Sequence, residues 1–316
     1  MKVGWILLFN WIQCQSQLPS IDALVGRLTN SSIYDKLERP QFGLDPTVVK
    51  VQYQINRIAN INPITNGYEM DIILKLQWND DRLKYDEDFK NEALSLNEQL
   101  IWTPDVYFFN QLGKMDSLDS ILMIQRDGQV SWSRRLIMNF GLPFKLNTFP
   151  FDTQSLPIKI VSYGYNQDLM QLQYFDTIDG GSNFPLIRDT FQSALWKLDT
   201  VETKRDQILY RQGTKPFDML TLTIQISRIA TTYLMKYVIP LYFIGLCSSI
   251  GYWIDVTALP TRGGFAVSLL LSTVTLNFVM TSDLPKVAYA TALDMFITTI
   301  FGFVFISLME YAIIES

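Results

Sequence analysis

Histidine is absent from all 316 residues, which removes histidine-based triads, H-E-x-x-H metal sites and zinc deaminase chemistry together. Serine and aspartate are plentiful, yet no G-x-S-x-G spacing presents a nucleophile with its base. Cys14 and Cys247 are the only cysteines, too few for a thiolate metal cluster or a disulfide scaffold. The chain therefore reads as a non-enzyme without a cofactor or a bound metal. What remains chemically unusual is the stretch 263–282, GGFAVSLLLSTVTLNFVMTS, which holds no ionisable group and is closed by Arg262 and Asp283. On a helix, Gly264, Ser268, Leu271, Thr275, Val279 and Ser282 share one face, while Phe265, Leu269, Leu270, Val274 and Phe278 fall on the others. Small and hydroxyl side chains at this spacing either let membrane helices pack closely or border a watery passage.

The rest of the composition narrows the partners. With 26 basic and 31 acidic residues the formal charge is -5, which argues against a nucleic-acid binder. Charged residues are 18% and hydrophobic ones 48%, so the chain can build a core and is not a disordered one.

The elements that must position these residues fall into two unlike halves. Residues 237–254 carry no charge, 263–282 none, and 287–309 only Asp294. Three such stretches with short connections read as a membrane bundle, because twenty helical residues cover about 30 Å of hydrocarbon. The predicted helices lie near 232–254, 261–282 and 288–313, within a membrane domain 229–316. At the other end, Lys2 and the apolar run Val3 to Ile12 read as a secretory signal over 1–16. Export would make Asn30 of Asn30-Ser31-Ser32 a glycosylation acceptor, and would leave the exported part to fold without a disulfide. Residues 17–228 form the extracellular domain. Polar and apolar residues alternate from Val48 to Leu76 around Asn62-Pro63 and Asn66-Gly67, which predicts paired antiparallel strands. Further strands are expected at 121–125, 129–137, 156–163, 171–175 and 218–227, giving a β-sandwich, with one short helix near Asp22.

Ordered motifs then carry a resemblance. Trp78-Asn79-Asp80-Asp81-Arg82-Leu83, Trp102-Thr103-Pro104-Asp105 and the loop 142–156, LPFKLNTFPFDTQSL, resemble signatures of pentameric ligand-gated ion channels. Leu142 and Leu156 stand where animal members carry the loop cysteines. Ser162-Tyr163-Gly164-Tyr165, Arg228 and Pro240 resemble further positions of that family, and Trp253-Ile254-Asp255, Leu259-Pro260-Thr261-Arg262, Leu284-Pro285-Lys286 and 303–311 are similar to the glycine-, GABA- and glutamate-gated chloride channels in particular.

The resemblance implies an extracellular sandwich over a membrane bundle, in a homo- or hetero-pentamer at the plasma membrane. The agonist, an amine or amino acid, is expected between subunits: Tyr107, Tyr163, Tyr210 and Phe217 on one side, Lys75, Ser133 and Arg135 on the other. Sandwich core is the competing reading for each aromatic. The face carrying Leu271 is expected to line the pore, and Pro260, Thr261 and Arg262 to favour chloride at its inner mouth. Asp152, Arg228, Asn62, Pro63, Leu284, Pro285 and Lys286 are expected to couple the two domains. The family also has a fourth membrane helix, and a chain ending at Ser316 reads as a fragment. The alternatives are a non-conducting assembly partner, a cation-selective channel of the same family, or an exported module with a membrane anchor.

Overall fold

The computed structural model describes residues 21–85, 93–175, 195–211, 215–255, 258–282 and 287–315. The signal segment and Leu284-Pro285-Lys286 lie outside them. A short helix, α1 (Ile21–Leu28), turns Leu24 and Leu28 into the core. Ten strands follow: β1 (Thr47–Asn62), β2 (Gly67–Asn79), β3 (Leu94–Leu96), β4 (Val106–Phe108), β5 (Gln111–Ile124), β6 (Gln129–Gly141), β7 (Thr153–Ser162), β8 (Met170–Tyr174), β9 (Trp196–Ile208) and β10 (Phe217–Arg228). They form a six-stranded sheet in the order β3-β5-β6-β2-β1-β8 and a four-stranded sheet in the order β4-β7-β10-β9.

Period-2 alternation is what makes these sheets face each other. In β2, Tyr68, Met70, Ile72, Leu74, Leu76 and Trp78 are buried, and Leu220, Leu222, Ile224 and Ile226 of β10 are their counterparts in the other sheet. Each such side chain, fully buried, contributes about 1.5–3 kcal/mol. Asn66 in the left-handed region (φ 50°) and Gly67 close the β1–β2 hairpin. A Cβ on Gly67 would come within 3.1 Å of the Phe140 carbonyl oxygen, so the close approach of β6 favours glycine there.

The tryptophan motifs turn out to be scaffold. Asp80 is fully buried; its Oδ2 accepts from the Tyr34 hydroxyl at 2.9 Å and from Arg82 Nη2 at 2.8 Å. The Tyr34 oxygen in turn accepts the Trp102 backbone N–H at 3.0 Å, and Trp78 and Trp102 meet edge to face at 5.8 Å. One buried carboxylate thus ties three separated segments together.

Three longer helices follow among the described residues. Helix α2 (Thr231–Trp253) contains a π-helical turn, Leu234–Val238, just before Pro240. Proline has no N–H for the ladder, and a wider turn accommodates the break. Helix α3 (Leu259–Ser282) has 24 residues, about 36 Å at 1.5 Å per residue, enough to cross a bilayer. Helix α4 (Ala292–Glu315) begins in a reciprocal cap: the Thr291 N–H donates to Asp294 Oδ2 at 2.8 Å and the Asp294 N–H to the Thr291 hydroxyl at 3.2 Å. The one charge inside the third apolar stretch therefore serves a helix start.

Candidate ligand, coupling and pore sites

The four predicted aromatics come together at one end of the four-stranded sheet. Tyr107 on β4 and Tyr163 just after β7 meet edge to face at 5.8 Å, and Tyr210 meets Phe217 of β10 at 5.2 Å. The Tyr107 and Tyr210 hydroxyls join the two pairs at 2.8 Å. Burial first, then the bonded Tyr210 hydroxyl, push the Tyr107 phenol up, so it stays protonated at neutral pH. Tyr163 is 80% exposed, which sets aside a place in the sandwich core for it.

Backbone chemistry holds Tyr163 out. Asp105 accepts from the Ser162 hydroxyl and from the Gly164 N–H, both at 2.6 Å, and its carbonyl accepts the Tyr163 N–H at 3.2 Å. A Cβ on Gly164 would sit 3.0 Å from that carboxylate, which would have to give by a few tenths of an ångström. The segment after β9 is tied back as well: Gln167 N–H donates to the Pro216 carbonyl at 2.9 Å, and Lys215 pairs with Asp168.

The other predicted ligand residues lie on the six-stranded sheet. Lys75 of β2 is in register with Ser133 of β6 and Gln52 of β1, and its ammonium lies 5.7 Å from the Phe175 ring. Arg135 is differently engaged. Its guanidinium donates to both oxygens of Asp71, at 3.2 and 2.8 Å, and with Asn56 it holds that carboxyl below its usual range. Within one chain, then, Lys75 and the aromatic cluster belong to different sheets.

Where the sandwich meets the helices, Asp152 and Arg228 form a two-contact ion pair at 2.6 and 3.1 Å, their side chains 1% and 4% exposed. The Arg228 guanidinium carbon lies 4.1 Å from the Trp196 ring centroid, 5.0 Å from that of Phe149 and 5.6 Å from that of Tyr233. A surface pair would contribute about 0–1 kcal/mol; a buried one in an aromatic cage belongs to another regime. Leu142 and Leu156 are both buried. Between them the Gln154 side-chain amide spans the loop, accepting the Lys145 N–H at 3.2 Å, donating to the Lys145 carbonyl at 2.8 Å and to Asp152 at 2.7 Å. The loop reaches the helices directly: the Tyr289 hydroxyl oxygen accepts the Leu146 N–H at 2.9 Å, and the Ala292 N–H donates to the Asn147 carbonyl at 2.9 Å. Asn62 and Pro63 are partly exposed at the β1–β2 turn.

On α3 the buried residues Ala266, Thr273 and Met280 repeat every seven positions and, with Arg262, form the side turned into the chain. Leu271 is 66% exposed and lies nine residues from both Arg262 and Met280, about two and a half turns, hence on the opposite side. Gly264, Ser268, Thr275 and Val279 are exposed with it. Arg262 does not share that side: it is 2% exposed and donates through Nε to the Gly251 carbonyl at 3.3 Å. Pro260 and Thr261 are exposed, and Ser282 ends the helix.

Comparison with known proteins decides the family. The "neurotransmitter-gated ion-channel ligand binding domain" matches residues 21–230, and the "neurotransmitter-gated ion-channel transmembrane region" matches 237–316. The chain belongs to the neurotransmitter-gated ion-channel family. This channel chain is similar to the human gamma-aminobutyric acid receptor subunit gamma-3, 29% identical over 303 residues that cover 94% of the chain and 63% of that subunit. It resembles human subunit gamma-1 to the same degree, 29% over 297 residues, covering 91% of the chain and 62% of the relative. The channel chain thus spans somewhat under two thirds of the length of these relatives. Its family has no catalytic role, and its three apolar helices make it a multi-pass membrane protein with the sandwich outside.

Several residues of this channel chain hold the sites in place through distant partners. Asp105 and Gln154 stand inside the family motifs and Trp196 and Tyr289 outside them, but the bonds of Asp105 to Ser162, Tyr289 to Leu146 and the contact of Trp196 with Arg228 join positions far apart in the sequence, which no local pattern encodes. Asn30 is exposed, its side-chain oxygen accepting the Ser32 N–H at 3.0 Å.

Proposed function

We propose that this chain is a subunit of a pentameric, chloride-conducting channel opened by an amine or amino acid that binds between subunits. The aromatic cluster around Tyr163 carries the reading. Rings with exposed faces attract an ammonium by about 0.5–2 kcal/mol each, and Tyr163 is both exposed and held by Asp105. Lys75 with Ser133 on the other sheet suits a carboxylate, and the placement of the two groups on different sheets of one chain supports an agonist site shared between two copies. A small ω-amino acid such as the γ-aminobutyric acid named in the relatives has both ends. In the membrane, five copies of Leu271 would form the constriction that dewets when shut. Absence of a carboxylate from 259–282, with Pro260-Thr261 at the inner end, supports anions over cations.

Voltage clamp on the full-length protein tests this. Agonist-evoked currents should reverse with the chloride gradient and ignore sodium replacement, and Thr261→Glu should shift permeability toward cations. A wild-type reversal potential that follows sodium overturns the anion assignment.

A further inference from the structure

Between the segment that follows α1 and the Trp102 loop lies a cleft of about 530 Å³, joined through Lys36, Leu37 and Gln99 to a second of about 430 Å³. Small-ligand sites fall in the range of about 300–1,000 Å³. None of the four clustered aromatics lines it, but it reaches the turn that carries Tyr163 through Asp105, Gly164 and Tyr165.

Its chemistry is distinctive. Tyr165 supplies apolar ring surface, backed by Trp102, which is 4% exposed; their rings lie 6.1 Å apart with the indole N–H directed at the Tyr165 oxygen. Among the described residues the Lys36 ammonium makes one hydrogen bond, a long 3.4 Å contact to the Gln99 carbonyl. Both Asp105 oxygens accept from Ser162 and Gly164, and Asp35, which borders the second cleft, accepts the Leu37 N–H on one oxygen; neither is in an ion pair with Lys36. An available cation beside an aromatic floor suits a small planar acid, with its carboxylate on Lys36 and its ring against Trp102 and Tyr165.

We propose that this cleft is a second small-molecule site, selective for planar carboxylates. An occupant would touch Asp105 and Gly164, which fix the Tyr163 turn, and so change the affinity of the agonist site; this consequence, unlike binding itself, rests on the function proposed above.

Benzoate, titrated into the purified assembled protein and followed by saturation-transfer NMR, tests the binding. Saturable binding is expected, weakened about tenfold or more by Lys36→Gln and weaker for cyclohexanecarboxylate, which has the charge without the flat ring. Tyr163→Ala and Lys75→Gln should leave it unchanged. Benzoate binding that survives Lys36→Gln, or that disappears in Tyr163→Ala, overturns the proposal. So does a lack of saturation at millimolar benzoate, the result expected if a neighbouring copy fills the cleft. An agonist response indifferent to Tyr163→Ala would instead count against the agonist site and leave the benzoate result standing.

Discussion

Strand β10 turns Leu220, Leu222, Ile224 and Ile226 into a core supplied wholly by its own chain, whereas the apolar span of helix α3 has only 17% of its residues buried there. The sandwich carries its own partners. The membrane helix presents Leu271, Val274, Phe278 and Val279 outward, a surface that these residues of the chain leave uncovered. Substitutions in the first region should therefore register as stability, and substitutions in the second as changes in assembly or conduction at nearly constant sandwich stability.

The largest effect expected is at the junction. Asp152→Ala leaves Arg228 charged and buried without its partner and should cost about 3–5 kcal/mol of stability, read by unfolding of the purified protein. Replacing both members with apolar residues should recover part of the loss. A cost below about 1 kcal/mol would mean that the junction behaves as solvated surface, and the contrast between the regions would fail at their border.

At the exposed aromatic site, Tyr163→Ala should weaken amine binding by up to about 2 kcal/mol, roughly thirty-fold, with no change in unfolding temperature. In the same background, Lys75→Arg should strengthen only agonists that also carry a carboxylate, because a guanidinium donates two parallel hydrogen bonds. Unchanged binding in Tyr163→Ala would place the pocket elsewhere.

Leu271→Ser sharpens the comparison from the membrane side. Sandwich stability should stay within about 0.5 kcal/mol, while resting current rises and less agonist is needed. Equal leak and an equal dose response would take Leu271 off the pore.

The smallest effect concerns Asp71, whose carboxyl is held low chiefly by Arg135. A lowered folded value means that the pair stabilises the fold above the ordinary aspartate range near pH 4, and that this is lost as pH falls through the folded value. Arg135→Ala should flatten that acid limb in a pH series of unfolding; an unchanged limb would show the pair to be inert.

Sequence pattern revealed the repetitive part of the fold and little of what fastens it. Alternation from Val48 to Leu76 marks β1 and β2, and uncharged length marks the three helices to within a few residues. Strand β9 escaped because its run WKLDTVETKRDQI is polar on both faces, as suits an edge strand. The first half of β5 escaped for the same reason: Lys114, Asp116 and Asp119 interrupt the pattern. At the ligand site the aromatic rings could be named from motifs, but not the Asp105 carboxylate that fixes Tyr163, since a hydrogen bond across 59 positions leaves no local trace. Similarly, the side to which Arg262 turns, away from Leu271, shows in its burial and not in the sequence.

The Gln154 amide bridge gives the junction loop a different life history from a covalently closed one. Disulfide formation takes seconds to hours and depends on oxidant and isomerase. A side-chain amide that donates to and accepts from the Lys145 backbone closes as fast as the surrounding strands assemble and can reopen without chemistry. Closure of this loop should then need neither oxidant nor disulfide isomerase, and a loop opened by force or heat can close again without redox chemistry.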